Sequence, residues 1–193
     1  MIIEQKIYNG DLIHKRFAYE YFRKNVSAYG NVVAFRAPMD VTENLIDLED
    51  TLSNDFIASK DAINFCWEIP NLCPLGAVSF QRLFNTAIAK SLSRYIGAPI
   101  EMDGDDLMVQ KEFTGSDDLV RSSGKVSVSI TYSVDSVALG HTAININAGP
   151  EAPGFAFSSD LNDNQVESFM TEVINYFNEE VKDQFVATTK VIV

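Results

Sequence analysis

Lys125 heads the run GKVSVSITYS, residues 124–133, in which small hydroxyl residues alternate with β-branched or aromatic ones. A strand sends successive side chains to opposite sides, so Lys125, Ser127, Ser129, Thr131 and Ser133 share one face. Val126, Val128, Ile130, Tyr132 and Val134 take the other. The segment GHTAININAG, 140–149, repeats the pattern, with His141, Ala143, Asn145 and Asn147 opposite Thr142, Ile144 and Ile146. Pairing the two strands would join two small-polar faces into the floor of a pocket. One cation there meets a carboxylate or phosphate, and hydroxyls and amides orient it. The candidate residues are Lys125, Ser127, Ser129, His141, Thr142 and Asn145. The competing reading is an ordinary solvated face of an antiparallel sheet.

Other chemistry-bearing residues are sparser. Cys66 lies on the same parity as Asn64 and Glu68, which makes it either a substrate-facing nucleophile activated by Lys125 or His141, or a small half-buried thiol. Cys66 and Cys73 lack the spacing of a zinc pair and read as reduced thiols, and His14 and His141 fit no metal motif, so no metal site is expected. The acidic run from Glu101 to Asp118 is a candidate for Mg²⁺ but reads more simply as a solvated surface. There is no phosphate-binding P-loop, no dinucleotide glycine fingerprint and no metalloprotease motif.

The elements that must position these residues follow from periodicity. Asp11 caps a first helix carrying Ile13, Phe17 and Tyr21. NVVAFRA is a strand ended by Pro38, and Asp40 with Glu43 opens a helix burying Val41, Leu45, Leu48 and Leu52. DFIASKDAINFCWEIPN reads as a hairpin or bent strand with Ile63, Phe65, Trp67 and Ile69 on one face. Phe80, Leu83, Phe84, Ala87, Ile88, Leu92, Tyr95 and Ile96 trace a helical stripe opened by Ser79 and closed by Gly97. DLMVQKEF is a short strand before a polar turn. Strands at Lys125–Val134 and Thr142–Asn147 are joined through Asp135 to Gly140. A long helix from about Asp163 buries Val166, Phe169, Met170, Val173, Phe177, Val181 and Phe185, and ATTKVIV closes as a strand or docked tail.

Strands in adjacent runs with helices outside them predict an α+β fold, a mainly antiparallel sheet flanked by helices, over alternating parallel units. At 193 residues and 46% hydrophobic content the chain can bury roughly 70% of its unfolded surface, and no linker divides residues 1–193, so one domain is expected. A net charge of −12 with scattered Lys and Arg repels phosphate backbones and argues against nucleic acid. No apolar run is long enough to span a bilayer, and MIIEQK meets charge too early for a signal peptide, so a cytoplasmic location is expected. The sequence holds no readable signal for oligomeric state.

GDDLMVQ, then GKVSVSI, then GHTAININ, following the helix FQRLFNTAIAKSLSRYIG, resemble the second half of the lipoate and biotin protein ligase family. They also resemble an uncharacterised archaeal family of about this length that shares its fold with class II aminoacyl-tRNA synthetases. The likeness implies a ligase-like fold, with Lys125 on the lysine that contacts an acyl-adenylate, Ser127 and Ser129 on the small residues beside it, and Asp106 near the family's Asn-Asp pair. It implies a small carboxylate or acyl-adenylate as ligand, ATP as cosubstrate, and a lysine that offsets charge on carbonyl and phosphate oxygens during transfer. Three departures stand against adenylation. The family's Gly-rich loop, whose bare amides approach the phosphates, corresponds here to the glycine-free LSNDFIASKDA. The order is Gly140-His141-Thr142 rather than His-Gly-Thr, and Val128 replaces a glycine. A module that kept the pocket and lost adenylation is the alternative reading.

Overall fold

The computed structural model describes residues 1–114 and 119–190. In chain order the elements are α1 (Phe17–Phe22), β1 (Asn31–Val41), α2 (Leu48–Ser53), β2 (Ile57–Pro70), α3 (Pro74–Ile96), β3 (Ile100–Asp103), β4 (Asp106–Thr114), β5 (Leu119–Lys125), β6 (Ser127–Val134), β7 (Val137–Asn147) and α4 (Asp163–Thr188). They build a four-stranded sheet in the order β1-β2-β7-β6 and a three-stranded sheet in the order β3-β4-β5, antiparallel throughout. The α+β class expected from the grouping of strands is the one observed.

Both faces of the larger sheet are covered. Ile63, Phe65, Trp67 and Ile69 of β2, with Ile144 and Ile146 of β7, pack against Phe80, Phe84, Ile88 and Leu92 of α3 and Phe169, Val173 and Phe177 of α4. Each such side chain withdrawn from water contributes about 2 kcal/mol, which is why the two long helices dock here. Opposite them, Val33, Phe35, Cys66, Leu139 and Ala143 pack under Tyr8, Leu12, Ile13 and Phe17 of the N-terminal segment. Trp67 lies against Gly140 in the neighbouring strand, where a Cβ would sit 2.1 Å from its Cζ2. Only glycine fits beneath that indole.

Several local expectations are corrected. The first helix starts at Phe17, because Arg16 sits in the left-handed region at φ 72° and breaks the turn from Asp11. β1 continues through Pro38, which edge position tolerates: a register shift falls between Ala37 and Met39, and the Pro38 carbonyl accepts from Tyr8 N–H at 2.9 Å. Val41 ends β1, and α2 begins only at Leu48, capped by the Asp47 carboxylate; Leu48 and Leu52 are 70% and 74% exposed rather than buried. The bent-strand reading of residues 55–71 holds, with one register shift between Asp61 and Ala62. α3 opens at Pro74 because Cys73 Sγ accepts from Gly76 N–H and proline suits the first turn; Ser79 lies inside the helix and Leu83 is exposed. The β6–β7 connection shrinks to Asp135 and Ser136, both at positive φ as a two-residue hairpin turn requires. β3 was unforeseen. α4 begins after an Asn162–Gln165 capping box, and Phe185 is half exposed. Ala187 and Thr188 finish that helix; Val191, Ile192 and Val193 lie outside the described residues, as do Gly115, Ser116, Asp117 and Asp118 of the acidic run. Among the described residues no helix is long and apolar enough to cross a membrane.

Candidate functional site

Lys125 does not begin the strand that follows it. It ends β5 in the smaller sheet, and the chain crosses to β6 of the larger sheet through Val126. Val126 is buried, its N–H donating to Leu107 O and its carbonyl accepting from Asn145 N–H, each at 2.9 Å. Lys125 is fixed on both sides as well: its N–H donates to Phe155 O at 2.9 Å, and its carbonyl accepts from Phe157 N–H at 2.8 Å. The ammonium lies 2.8 Å from Asp106 Oδ1 with the lysine side chain 29% exposed. An ammonium has three N–H donors, so this pair fixes the lysine without exhausting it.

Beside this junction opens a cavity of 590 Å³ lined by Lys125, Asp105, Asp106, Asn145, His141 and Tyr8, by residues 153–156 near Phe155, and by the α2 segment from Asn44 to Ala58. Lys125 is the sole basic side chain among its described lining residues, facing Asp47, Glu49, Asp50, Asp55, Asp105 and Asp106. Burial first, then the charges of Asp47 and Asp55, raise the Asp50 carboxyl above its ordinary value, while Lys125 lowers it. Burial also raises Asp105, followed by repulsion from Asp106. The wall is therefore strongly acidic, against the expectation of a generally anion-receiving floor.

The register corrects the expected joining of two polar faces. Ser129 pairs with Thr142 and Ile130 with His141, so the hydroxyl face of β6 lies with Thr142, Ile144 and the helices, and His141 lies on the other side. On the helix side the polar groups satisfy one another. Ser129 Oγ accepts from Gln81 Nε2 at 2.8 Å and Asn85 Nδ2 at 3.0 Å, which leaves its own hydroxyl to donate to Thr142 Oγ1 at 3.1 Å. Thr142 in turn donates to Asn85 Oδ1 at 2.8 Å, and Gln81 Nε2 reaches Asp105 Oδ2 at 3.0 Å. Ser127 Oγ accepts from Leu107 N–H at 2.9 Å. Ser127 and Ser129 thus belong to the cavity wall with their hydroxyls committed inward, while Thr142 and Cys66 are not among its lining residues.

His141 is buried, stacked on Tyr8 with ring centroids 3.9 Å apart, and its Nε2 is 2.9 Å from Asn64 Oδ1. Because Asn64 Nδ2 donates to Ala62 O and Ala37 O, its oxygen must accept, which puts the imidazole proton on Nε2. Burial lowers His141 to about 3. It is a neutral, wall-forming ring. Cys66 is buried, and burial holds its thiol well above the usual range, so it presents no thiolate. Asn145 differs from all these: it is 4% exposed, and its side-chain oxygen has no hydrogen-bond partner.

Sequence reasoning passed over Gln81, Asn85, Asp50 and Tyr8. The first two carried a signal, since they sit four residues apart on the buried side of α3 between Phe80, Phe84 and Ile88, where polar side chains require partners. Asp50 and Tyr8 are brought to the site by long-range packing alone.

Two antiparallel sheets backed by the long helices α3 and α4 define a fold class. The fold is that of the biotin and lipoate protein ligases. Biotin protein ligase from Aquifex aeolicus, solved with biotin and ATP, superposes with a TM-score of 0.59 at 14% identity, covering 94% of this chain and 70% of that one. Lipoate-protein ligase A bound with ATP gives 0.50 at 15% identity, covering 92% and 85%. A protein of unknown function from Pyrococcus horikoshi gives 0.82 at 23% identity, covering 100% and 97%. No curated protein matches by sequence. The chain belongs to the family described as a domain of unknown function, DUF366, whose model matches residues 1–192.

Proposed function

We propose that this protein binds a small organic ligand bearing a single carboxylate or acyl oxygen in the Lys125 cavity, a pocket of ligase-like fold that does not adenylate. The observation that carries this is Lys125 itself, the only basic lining residue described, half-buried and held by Asp106 at 2.8 Å beside 590 Å³ of space. One ammonium with donors to spare suits one carboxylate or polarises one carbonyl. It does not suit a triphosphate, whose charges would face six carboxylates. The segment that would have to cradle phosphates is instead α2 and the start of β2, glycine-free. The buried, protonated Cys66 supplies no covalent route.

Isothermal titration of short carboxylic acids, lipoate, octanoate, biotin and ATP, paired with ATP–pyrophosphate exchange, tests this. A carboxylic acid should bind, Lys125→Met should weaken it about 10-fold, and ATP should neither bind nor exchange. Pyrophosphate exchange dependent on any of these acids would make the protein an adenylating ligase instead.

A further inference from the structure

Resting on that reading of the Lys125 site, we propose that Asn145 determines its specificity. The Asn145 side-chain NH2 donates to one ligand oxygen and Lys125 to the other, so the site takes a free carboxylate over a group with a single acyl oxygen, such as an ester. The polar residues of the junction divide by what they have left to give. Ser127 Oγ accepts from Leu107 N–H, Ser129 Oγ is committed to Gln81, Asn85 and Thr142, and Asp106 is held by Lys125. Lys125 keeps ammonium donors after that pair is made. Asn145 is the other residue of this group with donors unspent, because its Nδ2 bonds none of the described residues.

Burial decides which end of the amide meets the space. Asn145 is 4% exposed, and its Oδ1 is buried without a partner, whereas Nδ2 is not among the buried atoms. Turning the amide over would bury two unpaired N–H donors in place of one unpaired acceptor, which costs more. The NH2 is therefore the accessible end. The sheet junction fixes where it stands: Asn145 N–H donates to Val126 O, directly after Lys125, whose own N–H and carbonyl are held by Phe155 and Phe157. Both side chains line the same cavity. A carboxylate has two acceptor oxygens and no donor, so it can engage a cation and a neutral NH2 together. An ester presents one strong acceptor, which Lys125 satisfies alone. A hydrogen bond to a charged acceptor is also worth more than one to a neutral carbonyl, so the Asn145 contact favours the acid.

Hexanoate, octanoate, lipoate and biotin, each beside its methyl ester, titrated calorimetrically into the intact wild-type protein and into Asn145→Leu decide the matter. The expected result is that an acid binds, that Asn145→Leu weakens it about 10-fold, and that the variant leaves the matching ester unchanged. A second measurement needs no variant. In isotope-labelled wild type, the Asn145 side-chain amide protons should move downfield in the NMR spectrum when the acid binds. An acid that binds while those protons stay in place overturns the role of Asn145 and leaves the proposed function standing. So does an acid that binds Asn145→Leu as tightly as wild type, or an equal weakening of acid and ester. Binding by none of these acids overturns both.

Discussion

The two sides of the β6–β7 pair handle polar groups in opposite ways. In the cluster around Ser129, Gln81, Asn85 and Thr142 hold one another, and each of these donors has an acceptor. At the sheet junction beside Lys125, Asn145 keeps a buried oxygen without a partner, and burial raises the Asp105 carboxyl above its ordinary value. The satisfied side is structure. At the junction, Lys125 keeps ammonium donors that a ligand can use, and binding energy comes from interactions the free protein lacks.

The comparison breaks most visibly at Gly140. Gly140→Ala forces a Cβ into the Trp67 indole and should cost about 3 kcal/mol, lowering the melting temperature by roughly 6–12 °C in a thermal scan. An unchanged melting temperature would mean that the helix side is not closely packed there. Ser129→Ala strips an acceptor from Gln81 and Asn85 and should cost about 2 kcal/mol by denaturant titration, whereas a surface-like cost would erase the distinction between the two sides.

His141 sharpens the contrast through pH. Its pKa is lowered from 6.5 to about 3 in the folded chain, so between those values the unfolded state binds a proton the native state refuses. Its stabilising contribution is complete above pH 6.5 and is lost as pH falls toward 3, at up to about 1.4 kcal/mol per pH unit. In His141→Gln, chemical denaturation across that range should show a correspondingly shallower acid loss. The smallest effect belongs to the cavity side: Asn145→Leu removes an unsatisfied oxygen and should leave stability within about 1 kcal/mol of wild type, or raise it. A loss as large as that of Ser129→Ala would show the amide to be structural.

Periodicity made the stripe Phe80, Phe84, Ile88 and Leu92 and the face Ile63, Phe65, Trp67 and Ile69 legible, because burial on one face imposes a period that needs no knowledge of the partner. It failed on α2, where Leu48 and Leu52 obey helical spacing yet face solvent. Spacing states which residues share a face and not whether anything covers that face. The N-terminal turn failed for a different reason: Arg16 adopts a left-handed conformation no residue type announces.

For the site, the sequence by itself determined that Lys125 precedes an alternating strand and that no glycine loop awaits phosphates. Tertiary structure decided the rest. The crossing at Val126 moved Lys125 into a different sheet from Ser127, and the pairing of Ile130 with His141 put the two polar faces on opposite sides. Register and sheet exchange are set by contacts between segments far apart in the chain, and a strand shifted by one residue presents the opposite face. Alternation along a single strand carries no information about either.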